Sequence, residues 1–355
     1  MPAYKDEKRN TWFCSFYYSD WTGKKKLKKK RGFTTKREAI SWERRFLEQQ
    51  QGNIDMTFGE FWEVYKKDMK VRLRESTMIT KVYIVELKVL PYFKDKPLNE
   101  IKPTDIREWQ NTLIKQGYKE TYLKTINNQL NALFNYAVRY YELNSNPCSK
   151  AGSIGKSNAD EMKFWSKEEF EIFIEGIKDK KQSYVAFMVL FWTGMRVGEL
   201  LALNCECIDF ESNKIDIKHT YQRINGKDIV TPPKTPKSIR TIIMPQFLSD
   251  MLEEYVNCLY GYSSKDRIFH MTKHFLEHEM NRGCKNTGVK KIRIHDLRHS
   301  HATMLLGMGA QIIEVSDRLG HQKISTTLNT YAHILPNKQN LLAGKLDEMY
   351  KGENE

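Results

Sequence analysis

The sequence lacks the features that mark several large classes of proteins. Its six cysteines include no CxxC pair, so neither a zinc site nor a disulfide framework is indicated. No apolar run approaches the roughly 18 residues that a membrane-spanning helix needs, and the charged residues 5–8 leave no room for the apolar segment of a signal peptide. We therefore expect a cytoplasmic protein with reduced thiols, no bound metal and no membrane partner.

Acidic residues are too few to balance the basic ones. Lys and Arg together number 58 and Asp and Glu 44, which gives a formal net charge of +14. Such a surplus is typical of proteins that bind a polyanion, and nucleic acid fits it better than an anionic membrane surface because no apolar run accompanies the charge. The length of 355 residues predicts two or three domains, and three fit the sequence best.

The first domain, residues 1–52, is the most basic part of the chain, with 14 Lys or Arg against six Asp or Glu in its first fifty residues. Strand-like residues 12–18, a turn at 20–23, a strand near Phe33 and a helix over 36–51 predict a small α+β fold. A basic run is commonly a solvated loop. Because strand-like segments flank this one, we favour a β-ribbon laid in a DNA groove. The predicted DNA-binding residues of the run are Lys24, Lys25, Lys26, Lys28, Lys29, Lys30 and Arg31.

The second domain, residues 56–147, is predicted to be all-helical. Thr57 begins an amphipathic pattern in which Phe58, Phe61 and Tyr65 recur at helical spacing. Proline and glycine residues separate the helices that follow, since both residue types interrupt regular structure. These helices are predicted over residues 76–91, 103–116 and 119–141.

An exposed linker at 148–162, rich in Gly, Ser and Lys, is predicted to lead into a third domain at 163–335. That domain mixes long helices with a strand cluster between Ile208 and Met244. A helix at the end of the chain either folds back on its own domain or docks on a neighbouring protomer. In the tail, residues 336–355, the spacing of four apolar residues predicts such a short amphipathic helix. These residues are Leu341, Leu342, Leu346 and Met349.

Five short segments of the third domain carry polar residues that suit an anion site. A helix N-terminus attracts anions, and side chains three or four residues apart share a helical face. A zinc pair of His295 and His299 competes with the anion site, but no third ligand accompanies it. Considered alone, Lys234 would be a residue of an ordinary charged loop, and Tyr331 would be an aromatic residue on the surface. The candidates are Arg196 after Gly194, Lys234 at a hairpin tip, His295 and Arg298 on a helix running to about Gly307, His321 after Gly320, and Tyr331 at a helix end.

In chain order, these residues resemble the catalytic domain of tyrosine recombinases, a family that includes phage integrases and the Xer enzymes. The helical second domain resembles the family's core-binding domain. The basic first domain resembles the arm-type DNA-binding domains of integrases from temperate phages and conjugative transposons. Glu199 matches a position where the family places an acid that supports the first arginine. The resemblance covers residues 163–335, and the matching catalytic positions are Arg196, Lys234, His295, Arg298, His321 and Tyr331.

The resemblance implies a multidomain, mainly α protein with small β-sheets. It would have an α+β N-terminal domain, a helical core-binding domain, and a mostly helical catalytic domain with a small antiparallel sheet. The implied function is a site-specific DNA recombinase that works through a 3′-phosphotyrosine intermediate and so integrates and excises a mobile element. Double-stranded DNA with core and arm-type sites is the expected partner, with four protomers on paired sites and an accessory DNA-bending or directionality factor. No cofactor or metal is implied.

The nucleophile needs help from its surroundings. A tyrosine phenol can hold the phosphate as an ester until another DNA end attacks it. With a pKa of about 10, only roughly one phenol in a thousand is ionised at pH 7. Tyr331 therefore needs a base or a cationic pocket, and His295 is the candidate base.

The scissile phosphate needs the other four residues. Arg196 and Arg298 can grip its nonbridging oxygens and offset the charge that grows in the transition state. Lys234 suits the general acid that protonates the leaving 5′ oxygen. His321 is expected to donate a hydrogen bond to a phosphate oxygen.

Two rival functions remain open. A type IB topoisomerase uses a similar constellation to relax DNA through one protomer, but the basic first domain and the apolar tail argue against it. A catalytically silent DNA-binding protein would keep the fold for architecture or regulation. The presence of all six catalytic residue types argues against that rival.

Overall fold

The computed structural model describes residues 3–7, 10–19, 25–50, 56–157, 163–233 and 235–331, and the single residues 343 and 349. The chain forms two compact units, Met1–Asp160 and Glu161–Glu355. Within the described ranges, no helix is both long and apolar enough to cross a membrane. Several predictions lie outside the described residues, namely those for Lys24, Lys234 and the tail residues Leu341, Leu342 and Leu346.

The first unit begins with an antiparallel sheet backed by one helix. The sheet order is β1 (Ala3–Asp6), β2 (Thr11–Ser19) and β3 (Lys25–Phe33), and α1 (Lys36–Gln50) follows. Phe16 of β2 packs on Trp42 and Phe46 of α1, which fixes the helix to one face of the sheet. The predicted α+β fold is therefore confirmed, and the basic run is an exposed edge strand rather than a loop.

The rest of the first unit is helical, as predicted. Thr57 caps the first of these helices through a reciprocal capping box with Glu60, and Phe58, Phe61 and Trp62 are buried. A π-helical segment, Val85–Val89, joins two of the helices. The helices are α2 (Phe58–Arg72), α3 (Glu75–Ile84), α4 (Leu90–Phe93), α5 (Pro103–Lys115), α6 (Glu120–Tyr140) and α7 (Pro147–Ala151).

The predicted linker begins too early. Asn146 accepts hydrogen bonds from the backbone N–H groups of Cys148 and Ser149, and Pro147 occupies the first turn of α7. Cys148 and Ile154 are buried in the helical core. An Asn-Pro pair can start a helix as readily as a turn, because the proline needs no N–H partner there. The prediction of an exposed linker is therefore wrong for Cys148 and Ile154, whereas Ser149, Lys150, Gly152 and Ser153 are exposed as predicted.

The second unit is built around a central apolar helix. Val185, Phe187 and Leu190 of that helix are all buried, as expected for a helix that is apolar on every side. The helices are α8 (Lys167–Glu175), α9 (Lys181–Thr193), α10 (Val197–Leu200), α11 (Gln246–Asn257), α12 (Lys273–Thr287), α13 (Asp296–Gly307), α14 (Ile312–Leu319) and α15 (Ile324–Tyr331), and the central one is α9. The strands are β4 (Ile208–Asp209), β5 (Lys214–Ile217), β6 (Thr220–Ile224), β7 (Lys227–Thr231) and β8 (Arg240–Ile243).

These strands form two small sheets, so the prediction of a hairpin with Lys234 at its tip is wrong. β7 pairs with β6, whereas β8 pairs with β5 in the sheet β4-β5-β8. Asn225 and Gly226 have φ values of 50° and 79°, the conformation of a tight two-residue hairpin turn. That turn makes β6 and β7 an antiparallel hairpin. The segment that contains Lys234 therefore connects two different sheets.

Candidate active site

Arg196 is held at the N-terminus of α10 by Glu199. Gly194 ends α9 with a φ of 67°, and a Cβ atom there would lie 2.5 Å from Cδ2 of His301. Arg196 Nη1 donates to Glu199 Oε1 at 2.7 Å, and its backbone N–H donates to Oε2 at 2.9 Å. Burial raises the pKa of the Glu199 carboxyl, but the charges of Arg240 and Arg196 outweigh it and leave that pKa below its usual value. Glu199 is therefore an anion that orients Arg196.

Arg298 lies in the first turn of α13 and is 3% exposed. Its Nη1 donates to Gly194 O at 2.9 Å, and its Nη2 donates to Leu319 O. Burial first, and then the charge of Arg196, lower the pKa of the guanidinium to about 9. Arg298 remains charged at neutral pH and joins the turn after α9 to the end of α14.

His321 directly follows Gly320, the residue that ends α14. Gly320 caps α14 with a φ of 67°, and the backbone N–H of His321 donates to Ser316 O at 3.0 Å. Its ring Nδ1 lies 2.7 Å from Oγ1 of Thr327, a buried residue of α15. Burial, then the charges of Arg298 and Arg196, lower the pKa of this imidazole to about 4. The ring is therefore neutral at pH 7.

Tyr331 is the last residue of α15 and is 1% exposed, so it is not the surface aromatic that its position alone suggested. Its phenol oxygen lies 2.6 Å from Nδ1 of His299. Burial raises the pKa of the phenol well above its usual value, and the charge of Arg298 opposes that rise. The phenol is therefore protonated at neutral pH, with an imidazole in contact with it.

The histidine in contact with Tyr331 is not the one that sequence reasoning selected as the base. His295 precedes α13 and its ring centroid lies 5.2 Å from that of His299. Burial, then the neighbouring His295, lower the pKa of His299 to about 4, so its ring is neutral at pH 7. The available signal was helical spacing, which places residues 295 and 299 on one face. Within the ranges that the structure describes, no three His, Cys, Asp or Glu side chains are grouped as metal ligands would be.

Five of the six predicted catalytic residues lie in one cluster. Besides burial, the charges of Arg298 and Arg196 lower the pKa of His295, as they do that of His321. The positive charge of the site therefore comes from guanidinium groups, whereas its imidazoles are neutral. Such a site can bind an anion beside a protonated phenol. The structure does not describe Lys234.

His301, also in α13, gives the second unit a pH-dependent contact. Its Nε2 lies 3.0 Å from Nε of Arg318 and accepts that N–H, so the imidazole must be neutral. Burial first, and then the charge of Arg318, lower the pKa of His301 to about 3. Sequence reasoning did not single out this residue.

We expect the full chain to lose stability as the pH falls from 7 to 5. The folded-state pKa of His301 is below the unfolded value of about 6.5, so the unfolded chain binds the proton more readily in this window. This group alone should lower the free energy of unfolding by about 2 kcal/mol. Urea unfolding at both pH values measures the loss. His301→Gln should make it smaller, whereas His219→Gln, at an exposed position, should not; an unchanged loss in His301→Gln would contradict this account.

Three family models match successive parts of the chain. The model of the phage integrase family matches residues 163–338, which include the whole site. The model of the N-terminal SAM-like domain of phage integrases matches residues 57–114, and that of the arm DNA-binding domain matches residues 2–50. The order of the three matches is the order of the three predicted domains.

Curated relatives and solved structures agree with these matches. The chain is 28% identical over 362 residues to the ICEBs1 integrase of Bacillus subtilis (strain 168), covering 94% of this chain and 96% of that one. The Tn1549 transposon integrase in complex with transposon right end DNA shares the fold, with a TM-score of 0.69, 20% identity, and coverage of 82% of this chain and 100% of that one. A lambda integrase tetramer bound to a Holliday junction gives a TM-score of 0.59, 18% identity, and coverage of 92% and 97%. The chain therefore belongs to the phage integrase family of tyrosine recombinases, enzymes that break and rejoin DNA at specific sites.

Proposed function

We propose that the chain integrates and excises a mobile element, and that Tyr331 is the nucleophile that forms a 3′-phosphotyrosine link with DNA. The observation that carries this proposal is the buried phenol of Tyr331. Its oxygen lies 2.6 Å from Nδ1 of the neutral His299, and the positive charge of Arg298 acts to lower its pKa. A phenol in such a place can lose its proton to the ring as it attacks a phosphate that the arginines hold.

Cleavage begins with attack of Tyr331 on the scissile phosphate. The Tyr331 oxygen bonds to phosphorus, the phenol proton passes to an imidazole, and the bond from phosphorus to the 5′ oxygen breaks. Arg196 and Arg298 stabilise the charge on the nonbridging oxygens, and His321 donates a further hydrogen bond. Lys234 supplies the proton that the leaving oxygen takes up. Attack of another 5′ hydroxyl on the phosphotyrosine reverses these steps and joins new strands.

We propose that His299 takes the proton of Tyr331, and that His295 supports it and the bound phosphate. His299→Phe should then slow single-turnover cleavage by about 10²- to 10⁴-fold, the usual contribution of a general base, with DNA affinity unchanged. His295→Phe is the matched variant and should cost less. A suicide duplex that traps the adduct measures both rates. A loss in His295→Phe that equals or exceeds the loss in His299→Phe would return the role of base to His295.

We propose that residues 1–52 form an arm-type DNA-binding domain, that a core-binding domain follows from residue 56, and that residues 163–335 form the catalytic domain. The arm sheet has one open face, because α1 covers the face that carries Phe16. The strand pairing places Arg31 beside Phe13 and Lys29 beside Ser15 on the open face, whereas Lys28 lies beside Phe16. The open face is therefore the proposed contact with arm-type DNA.

Reversing charge on the open face should weaken arm binding selectively. We expect the double variant Lys29→Glu and Arg31→Glu to lose affinity for arm-type DNA and to show a shallower salt dependence, because phosphate contacts set that slope. Cleavage of a core duplex should be unchanged. The control carries the same charge change on the other face, Lys28→Glu and Lys30→Glu, and should lose less. Equal losses in both variants, measured by gel shift across salt concentrations, would contradict a face-specific contact.

The assembly proposed is a homotetramer on paired core sites, with an accessory DNA-bending or directionality factor as a further partner. The lambda integrase tetramer on a Holliday junction supports it, because its fold is shared. A covalent adduct formed in excess EDTA would separate this enzyme from a silent DNA-binding protein and from a metal-dependent nuclease. Recombinant rather than relaxed products would separate it from a type IB topoisomerase.

A further inference from the structure

Arg240, the first residue of β8, is a buried arginine that the proposed mechanism does not use. Its side chain is 7% exposed. Nε donates to Arg318 O at 2.7 Å, Nη1 donates to Ser238 O at 3.1 Å, and Nη2 donates to Glu199 Oε2 at 2.9 Å. All three nitrogens of the guanidinium therefore have partners within the protein.

The three acceptors belong to three different segments of the site. Glu199 is the carboxylate that also holds Arg196. Arg318 O lies two residues before Gly320, and a Cβ atom at Gly320 would come within 2.9 Å of Arg240 Cδ. Ser238 ends the short turn Pro236–Ser238, which follows the segment of Lys234. The Arg240 side chain thus contacts Glu199, which holds Arg196, the end of α14 just before His321, and the turn Pro236–Ser238.

We infer that Arg240 is a positioning residue, which sets Arg196, His321 and the turn Pro236–Ser238 relative to one another through Glu199, Arg318 and Ser238. A guanidinium suits this role because its planar fork can donate in three directions at once, which a lysine ammonium on a flexible stem does not reproduce. Arg240 also gives Glu199 a second cationic partner besides Arg196. Without Arg240, the carboxylate would be free to turn toward Arg196 alone and to change the angle at which Arg196 meets the phosphate.

The inference rests on the proposed function and predicts a loss of rate without a loss of binding. Arg240→Met should slow single-turnover cleavage at saturating protein by about 100-fold, the effect expected when reacting groups are displaced by about 1 Å. The protein concentration that gives half-maximal rate should change by less than about twofold, because charge-dominated DNA binding does not depend on one buried side chain. Arg240→Lys should recover part of the rate, since it keeps a cation beside Glu199.

Arg267 provides a matched control. Its guanidinium donates to the backbone oxygens of Leu201 and Phe269 and to Asp228, and its side chain is 17% exposed. Arg267→Met removes a comparable set of contacts, none of which involves a predicted catalytic residue. It should lower the melting temperature as Arg240→Met does, but it should not lower the rate per folded molecule.

Three outcomes would overturn the inference. Arg267→Met could slow cleavage per folded molecule as much as Arg240→Met does, which would make the effect one of general stability. DNA affinity could fall in Arg240→Lys as much as the rate, which would make Arg240 a DNA contact. Arg240→Lys could retain the full rate, which would leave no positioning role. Formation of the Tyr331 adduct by the unaltered chain tests the proposed function separately.

Discussion

Replacing Tyr331 by phenylalanine should abolish the covalent protein–DNA adduct while leaving DNA affinity nearly unchanged. The variant loses only the oxygen that would bond to phosphorus, and its ring still fills the same buried site in α15. A chain with a net charge of +14 is expected to bind DNA largely through phosphate contacts, so one hydroxyl should contribute little to affinity. A denaturing gel of the trapped adduct and a gel shift on the same duplex measure the two effects.

The variant also needs a check that it is folded. Loss of the hydrogen bond to His299 should lower the free energy of unfolding by about 1 kcal/mol, far too little to unfold a domain. Tyr262→Phe is a suitable control, because that hydroxyl also makes hydrogen bonds, to Cys205 and Asp266, away from the predicted catalytic residues. It should form the adduct normally. Covalent product in Tyr331→Phe would assign the nucleophile to another residue.

Replacing Arg298 by lysine should reduce cleavage by about 10²- to 10³-fold, as removal of a single transition-state donor commonly does. A lysine keeps one positive charge but cannot donate to Gly194 O, Leu319 O and a phosphate oxygen together. Two effects therefore combine: weaker stabilisation of the transition state and a looser junction between the turn after α9 and the end of α14.

Arg293→Lys is the matched control for Arg298→Lys. Arg293 pairs with the buried Asp296 at the start of α13, but its own side chain is 74% exposed, and a lysine at this position can keep a positive charge beside Asp296. This variant should cleave and melt like the unaltered chain. Single-turnover cleavage and thermal unfolding of both variants give the comparison. Normal cleavage by Arg298→Lys would remove the guanidinium from the proposed mechanism.

Local signals in the sequence were sufficient to predict where many of the helices begin and end. The capping boxes that start at Thr57 and Ser166 and the helix ends at Gly194 and Gly320 depend on neighbours within a few residues, so their residue types predict them. The linker was misplaced for a different reason. Whether Cys148 and Ile154 are buried depends on α5 and α6, which are distant in sequence.

The strand pairing shows the same limit. Strand-like residues could be recognised between Ile208 and Met244, but the pairing of β8 with β5 could not, because β6 and β7 separate these two strands in the sequence. The Asn225-Gly226 turn was a local signal that favoured β6 with β7, and it could have prevented the incorrect hairpin around Lys234.

The sequence by itself was enough to indicate the family and to predict which residues form the site. The order and spacing of Arg196, His295, Arg298, His321 and Tyr331 resemble the family's catalytic domain, and the chemistry of phosphate transfer explains why these residue types, cations, imidazoles and a nucleophile, are needed.

Only the tertiary structure decided how those groups are arranged. It placed His299 rather than His295 against the phenol of Tyr331, buried that phenol, and brought Arg240 between Glu199, Ser238 and Arg318. Each of these contacts joins residues at least 32 positions apart or depends on burial by several helices, except that between Arg240 and Ser238. The direction in which a side chain points across such a distance is set by packing, and packing has no counterpart in the spacing of residues along a chain.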